Sequence, residues 1–173
     1  DDNCDGRVDE GCTLVESNFD ANTVDGWTIQ GDAKDIKATG GVLQATDTGE
    51  GIAWYFVAPA KFRGDMSAAM GGTFEYRFRV SHVDYDSGED VTLVGGGITL
   101  RFNNPRPSTS WTTYRCPLVP GAGWVNAATG KAATEAEIAT VLSNVTKLLI
   151  LGEHYGSKGD IGYLDYAKLI RAK

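Results

Sequence analysis

At 173 residues, the chain is long enough for one well-buried core and short for two ordinary domains. Hydrophobic residues make up 42% of it, and its 22 glycines are spread along its length, which indicates a folded chain with many tight turns. A formal net charge of −7 disfavours binding to nucleic acid or anionic membranes and suits the binding of cations. No apolar run approaches the roughly 20 residues that span a bilayer, so we expect no membrane insertion.

The first twelve residues, DDNCDGRVDEGC, have the spacing of a calcium-binding loop. Aspartate or asparagine at every second position delivers oxygens to one point, and the glycine that follows makes the sharp turn. The candidate ligands are Asp1, Asn3, Asp5, the carbonyl of Arg7, and Asp9 or Glu10. Asp9 or Glu10 would have to close the shell, because Cys12 stands where an EF-hand has its bidentate glutamate. The alternative is a solvated acidic terminus.

The cysteines predict the compartment. Cys4 and Cys12 lie close in sequence and predict a disulfide, and hence an oxidising, extracytoplasmic setting. Cys116 shares strand parity with Tyr114 and Leu118, so we expect a buried thiol rather than a nucleophile. The chain begins without an initiator methionine or a signal peptide, so we expect a piece of a longer precursor. We expect it to be a monomeric module within a multidomain chain.

Short strands follow the opening loop. The clearest spans 73–80, where apolar and charged residues alternate, and 98–102 alternates in the same way. The glycine run Gly95–Gly97 predicts a hairpin turn or bulge between 91–93 and 98–102. The other predicted strands are 26–30, 33–38, 41–47, 52–58, 109–118, 146–153 and 161–170.

One helix is predicted, because Thr134 and Glu137 form a T-x-x-E capping box. Its apolar residues at helical spacing are Ile138, Val141, Leu142 and Val145. Many short strands with a single helix predict an all-β fold, an antiparallel β-sandwich. We place the domain boundary so that residues 1–12 form an acidic loop or linker and residues 13–173 form the sandwich.

No catalytic constellation stands out in the sequence. There is no G-x-S-x-G motif, and His82 and His154 are too far apart to fit a zinc-binding spacing. A glycoside hydrolase needs two carboxylates in a cleft, roughly 5 to 10 Å apart, and no acidic pair is singled out by an apolar setting. We therefore expect a protein that is not an enzyme, with a polysaccharide hydrolase as the rival hypothesis.

The four tryptophans are candidates for sugar contact, since a pyranose ring packs its C–H face on an aromatic ring. Trp27 follows Asp25-Gly26 and Trp54 lies within the apolar run 52–57, and both are expected to pack in the core. Trp111 and Trp124 lie near loop or edge positions and are expected to be more exposed. They are the candidate ligand-binding residues.

Several short stretches occur in an order typical of one family. They are Phe19-Asp20 through Asp25-Gly26-Trp27, Ala45-Thr46-Asp47, Trp54-Tyr55-Phe56-Val57-Ala58-Pro59 with Phe62-Arg63-Gly64-Asp65, Gly71-Gly72-Thr73-Phe74-Glu75-Tyr76, Trp111-Thr112-Thr113-Tyr114 with Pro117-Leu118, and Leu164-Asp165-Tyr166. Together they resemble the laminin B domain, also called laminin domain IV, over residues 14–173. The resemblance implies a jelly-roll β-sandwich of the galactose-binding-like kind, extracellular and non-catalytic.

The same resemblance implies a structural calcium ion. Related sandwiches hold calcium between the start of the first strand and an aspartate of the last strand. The matching positions are Asp20, the carbonyl of Asn18, and Asp165, with Asp35 or a carbonyl near Lys37 completing the shell. If this arrangement is present, Asp165→Ala should destabilise the fold more than Asp47→Ala does.

The opening residues resemble a different family, a short metal-binding motif that is often repeated in large secreted bacterial proteins. Its usual form has a further cysteine just upstream, which would be an alternative partner for Cys4. This implies a fragment of a bacterial secreted or cell-surface protein.

We therefore expect a non-catalytic extracellular binding or adhesion module with structural Ca2+, whose partner is a glycan or an extracellular protein. The alternatives are a carbohydrate-binding module attached to a secreted polysaccharide-acting enzyme, and a spacer in a cell-surface stalk.

Overall fold

Two antiparallel β-sheets form a β-sandwich, and one α-helix packs against it in the part of the chain that is described, residues 12–49, 53–84, 89–156 and 158–172 of the computed structural model. The strands are β1 (Thr13–Asn18), β2 (Thr28–Gln30), β3 (Ala33–Thr39), β4 (Val42–Asp47), β5 (Tyr55–Val57), β6 (Thr73–Val80), β7 (Val91–Gly95), β8 (Ile98–Phe102), β9 (Thr112–Pro117), β10 (Val125–Asn126), β11 (Lys131–Ala132), β12 (Val145–Leu151) and β13 (Ile161–Ile170). Helix α1 spans Glu135–Ser143, and two short 3-10 helices span Ala60–Phe62 and Ser67–Ala69. The predicted all-β sandwich with one short helix is confirmed.

Strand β13 is the centre of the six-stranded sheet, whose order is β3-β4-β13-β6-β9. Strand β4 pairs with the first half of β13 and β1 with its second half, so both lie along one edge, while β6 runs along the other. The register against β6 shifts between Leu164 and Tyr166, which makes Asp165 the extra residue of a β-bulge.

The seven-stranded sheet has the order β11-β10-β8-β7-β12-β5-β2. Its strand β12 includes the run Leu148–Leu151, which is buried throughout as its apolar sequence predicts. Gly96 and Gly97 form the turn between β7 and β8 with φ of 54° and 78°, values that favour glycine, so the predicted hairpin is confirmed.

Alternation along β6 positions the core. Phe74, Tyr76, Phe78 and Val80 are buried between the sheets, while Arg77 and Arg79 lie on the outer face. The same parity in β4 buries Leu43 and Ala45.

The capping box of α1 is present. The Thr134 hydroxyl accepts a hydrogen bond from the Glu137 backbone N–H at 3.2 Å, and the Glu137 carboxylate accepts one from the Thr134 backbone N–H at 2.8 Å. Ile138, Val141 and Leu142 are buried as predicted. The prediction that Val145 belongs to the helix is wrong. Helix α1 ends at Ser143, and Val145 is the first residue of β12.

Three strands were not predicted. Strand β1 pairs with the second half of β13, and Ser17 is its one fully buried residue. Its sequence therefore lacks the apolar alternation that predicts a strand. Strands β10 and β11 are two residues each, too short to give a periodic signal.

No helix among the described residues has both the length and the apolar character needed to cross a membrane.

A glycine at the end of β12 is required by the packing of Trp54. A Cβ atom at Gly152 would lie 2.3 Å from ring atoms of Trp54, which is fully buried. We expect Gly152→Ala to lower the free energy of unfolding by about 1–3 kcal/mol through overpacking, measured by chemical denaturation.

Gly156→Ala is the matched control, in the same connection between β12 and β13. Its Cβ would have its nearest neighbour at 3.7 Å, an ordinary contact, so its effect should be small. Equal stability of the two variants would contradict the packing argument.

Candidate functional site

An aromatic–guanidinium cluster lies on the outer face of the six-stranded sheet. The Arg79 guanidinium carbon lies 3.8 Å from the ring centroid of Tyr163 and 5.0 Å from that of Trp111, and the guanidinium carbon of Arg77 lies 5.3 Å from Trp111. These distances are within the range of cation–π contact. We call Arg77, Arg79, Trp111, Tyr163 and Asp165 the Trp111 cluster.

The strand pairing explains why these side chains meet. Tyr163 of β13 pairs with Arg79 of β6, and Trp111 directly precedes β9, the next strand. The bulge leaves Asp165 on the outer face, where its carboxylate accepts a hydrogen bond from Arg77 at 2.9 Å. Arg77 is therefore held between a carboxylate and an indole ring.

A second polar group continues this face. Glu75 is 5% exposed, yet its carboxylate is fully partnered: Arg115 lies 2.8 Å away, Lys168 3.4 Å, and the Tyr166 hydroxyl donates to it at 2.9 Å. Arg77 pairs with Asp165, Arg115 and Lys168 pair with Glu75, and Arg79 contacts Tyr163. One face of a protein of net charge −7 therefore carries four cations.

Of the two tryptophans predicted to be exposed, Trp111 is half-buried within the cluster, and the prediction for Trp124 is wrong. Trp124 is 2% exposed, packs against Phe102 with ring centroids 5.1 Å apart, and donates its Nε1–H to the carbonyl of Pro117 at 2.8 Å. Its turn-like sequence setting did not reveal that this segment folds over the core. Trp27 and Trp54 are buried, as predicted.

A second feature lies at one end of the sandwich, where three buried carboxylates meet. Asp47 ends β4, Glu153 follows β12, and Asp160 directly precedes β13. One oxygen from each lies within 4.8 Å of the others, and the three residues are 1–4% exposed. Asp47 N–H donates to the Asp160 carbonyl at 3.0 Å, which holds these two segments side by side. We call Asp47, Glu153 and Asp160 the carboxylate cluster.

The electrostatics of the carboxylate cluster are unfavourable. Burial, and then repulsion by the neighbouring Asp47 and Asp84 carboxylates, raise the pKa of Asp160 to about 7. Both oxygens of Asp160 and Oδ2 of Asp47 are buried and have no hydrogen-bond partner among the described residues. Such oxygens are costly unless a proton or a cation compensates them. Among the described residues, Asp47, Glu153 and Asp160 are therefore the group that could hold a metal ion.

Among the calcium ligands implied by the family resemblance, Asp20, Asp35 and Asp165 do not form one group of carboxylates in the described part of the chain, and the binding of calcium by this set stays a prediction. Asp20 is exposed in the turn after β1, and Asp35 is exposed with φ of 57° in an irregular part of β3. Asp165 is engaged by Arg77, and Asn18 pairs with Tyr166. Within the described ranges, only the carboxylate cluster places three acidic or metal-ligating side chains around one point.

The candidate ligands of the opening loop, Asp1, Asn3, Asp5, Arg7, Asp9 and Glu10, lie outside the described residues, as does Cys4. Their metal binding stays a prediction. Cys12 is disulfide-bonded. Because Cys4 lies outside the described residues, the Cys4–Cys12 pairing stays a prediction.

The patterns in the sequence did not identify Asp47, Glu153 and Asp160 as candidate metal ligands. A signal existed for Asp47, because it continues the inward parity of Leu43 and Ala45 in β4, so its carboxylate points into the sandwich. Glu153 and Asp160 carried no such signal, since both lie in a connection whose path depends on the packing of the two sheets.

Comparison with known proteins identifies the family. Residues 55–173 match the sequence model of the Laminin B (Domain IV) family. The chain belongs to this family. It is similar to human laminin subunit gamma-1, with 32% identity over 127 residues that cover 69% of this chain and 8% of that protein. The chain spans 7% to 10% of the length of the curated relatives it matches.

Solved structures support the fold of this laminin B-family chain. The L4b domain of human laminin alpha-2 is similar, with a TM-score of 0.67 and 12% identity, covering 87% of this chain and 86% of that one. A family 11 carbohydrate-binding module of Clostridium thermocellum, in complex with a mixed-linked tetrasaccharide, has a TM-score of 0.50 and 16% identity, covering 99% of this chain and 94% of that one. At these identities the likeness shows the fold, a jelly-roll β-sandwich, as predicted.

The thiol of Cys116 should be inert in the native protein. Cys116 is fully buried and free, and burial raises its pKa to about 12. Because the thiolate is the reactive species, we expect labelling by a disulfide reagent such as DTNB to be at least ~100-fold slower than for free cysteine.

In denaturant, labelling should give one thiol per chain if Cys4 and Cys12 are paired with each other. Cys116→Ala is the control and should then give none. Rapid native labelling that disappears in Cys116→Ala would contradict the buried position of this thiol.

Proposed function

We propose that this laminin B-family chain is a non-catalytic, extracellular binding module, and that it binds its partner through the Trp111 cluster. The observation that carries the proposal is a half-exposed indole ring flanked by two guanidinium groups, one of which is held by Asp165. The family assignment supports an extracellular setting, secreted or at the cell surface.

The chemistry of the described residues favours binding over catalysis. Cys116 is buried with a raised pKa, and His154 is buried against Phe78, so neither is placed to attack a bound substrate. The carboxylate cluster is 1–4% exposed, which excludes a polysaccharide from its oxygens. The two-carboxylate cleft that a glycoside hydrolase requires is therefore not offered by this cluster.

We infer that the ligand is an acidic glycan. An aromatic face packs on the C–H face of a pyranose ring, and guanidinium groups donate paired hydrogen bonds to carboxylate or sulfate. The cations of this face stand out on a protein of net charge −7, so the face selects negatively charged ligands by local complementarity. An acidic segment of an extracellular protein would satisfy the guanidinium groups but make less use of the ring.

A carbohydrate-binding module attached to a secreted polysaccharide-acting enzyme is the second candidate. The half-exposed Trp111 favours it, because a stacking ring also serves neutral sugars. The two candidates differ in the ligand they bind. An adhesion module should prefer charged glycans, and a polysaccharide-targeting module should bind neutral glucans or related polymers.

A glycan array that contains uronic-acid, sulfated and neutral glycans tests the proposal. We expect binding to charged glycans that weakens as salt is raised, because exposed charges are screened. Trp111→Ala should weaken binding at least tenfold, whereas Trp111→Tyr should retain part of it by keeping a stacking ring.

Lys131→Ala is the control, since Lys131 is exposed on β11 of the other sheet and should bind like the unaltered chain. Preference for neutral polymers would favour the second candidate. Binding of acidic peptides but of no glycan would move the proposal to a protein partner. Unchanged affinity in Trp111→Ala would remove the Trp111 cluster as the binding site.

A further inference from the structure

We propose that Asp47, Glu153 and Asp160 form a binding site for a divalent cation, preferably Ca2+, that ties the two sheets together at one end of the sandwich. This site differs from both sets of calcium ligands expected from the sequence. It is also independent of the Trp111 cluster, so ligand binding and cation binding can each fail without the other.

The spacing of the carboxylate oxygens suits a single ion. One oxygen from each residue lies within 4.8 Å of the other two. Calcium binds oxygens at about 2.3–2.6 Å, so two ligands on opposite sides of the ion lie at most about 5 Å apart. All three carboxylates can therefore reach one calcium ion without a change in the backbone.

Unpartnered, buried oxygens point into the site. Asp160 is 1% exposed, and within the described part of the chain neither of its carboxylate oxygens has a hydrogen-bond partner. Asp47 is 3% exposed. Its Oδ1 accepts a hydrogen bond from the Gly49 backbone N–H at 3.1 Å, and its Oδ2 has no partner in the ranges that the structure describes. Buried polar atoms in folded proteins are nearly always satisfied, so these oxygens indicate a ligand of positive charge.

The contrast with Glu75 shows what is unusual. Glu75 is also buried, but Arg115 and Lys168 compensate its charge. Among the described residues, no lysine or arginine forms an ion pair with Asp47 or Asp160. A bound cation would supply the compensation that side chains supply elsewhere in this protein.

The ligand chemistry selects the ion. Three carboxylates are hard oxygen donors, which suit calcium or magnesium rather than zinc or copper. Magnesium retains several waters and requires shorter bonds in an octahedral arrangement, whereas calcium accepts an irregular shell of protein oxygens. The three carboxylates are 1–4% exposed and so are largely shielded from bulk water, which favours calcium over the more strongly hydrated magnesium.

The position of the site gives the ion a structural role. Asp47 belongs to the six-stranded sheet, Glu153 follows the last residue of β12 in the seven-stranded sheet, and Asp160 leads back into β13. Glu153 and Asp160 thus bracket the connection between the sheets. This connection is also held by Asp84, whose carboxylate accepts from the Gly156 backbone N–H at 2.9 Å. Removal of the ion should therefore loosen this end of the sandwich first.

The test uses the full chain, stripped with EDTA and then titrated with CaCl2, followed by calorimetry and thermal unfolding. We expect calcium at about 100 times its Kd to raise the melting temperature by about 5–10 °C. Asp160→Asn and Asp47→Asn should each lose this shift. Because Asp160→Asn removes a repelled, buried charge, its melting temperature in EDTA should equal or exceed that of the unaltered chain.

Controls separate this site from the others. Asp20→Asn, Asp35→Asn and Asp165→Asn should keep the calcium shift, and Asp5→Asn reports on the opening loop. If Asp160→Asn fails to fold, Glu153→Gln replaces it. No calcium-dependent shift in the unaltered chain, or a full shift in both Asp160→Asn and Asp47→Asn, would overturn the proposal. A shift lost only in Asp165→Asn or Asp5→Asn would assign the ion to those residues instead.

Discussion

The pairing of β13 with three other strands is the constraint on which the rest of the structure depends. One edge of β13 accepts β4 and then β1, while the other edge accepts β6 along its whole length. The bulge at Asp165 shifts the alternation of buried and exposed residues in β13 by one position. Leu164 before it, and Ala167 and Leu169 after it, therefore all face the core. Both features of functional interest begin from this strand, since Asp165 orients Arg77 in the Trp111 cluster and Asp160 precedes Ile161.

The buried and half-buried carboxylates fall into two groups, those that form ion pairs with arginine or lysine and those that do not. On the outer face, arginine and lysine side chains form ion pairs with Glu75 and Asp165, and together they make a polar surface around an indole ring. At the end of the sandwich, Asp47 and Asp160 have no such partners among the described residues. The first arrangement presents a surface for a ligand, and the second leaves negative charge inside the fold, where only a proton or a cation can balance it.

Local patterns predicted much of the fold. Alternation along β6, the Gly96–Gly97 turn and the Thr134–Glu137 capping box are short-range features, in which each residue interacts with neighbours close in sequence. The candidate sites were predicted less well. Trp111 was identified from its loop-like setting, but Trp124 in a similar setting is buried by Phe102, and neither local sequence distinguishes the two.

The sequence by itself determined the fold class, the strand that carries Arg77 and Arg79, and the family resemblance. All three depend on the order of residues and on their periodicity along the chain, which the sequence contains directly. The tertiary structure alone decided which carboxylates meet. Asp47 lies far from Glu153 and Asp160 in sequence. The pairing of β4 with β13 brings Asp47 beside Asp160, and the packing of the two sheets brings Glu153, which follows β12, to the same point. Asp165, one of the calcium ligands implied by the family resemblance, lies at a bulge that no local pattern signals and forms an ion pair with Arg77. Ligand sets depend on side-chain direction at long sequence separation, which periodicity does not specify.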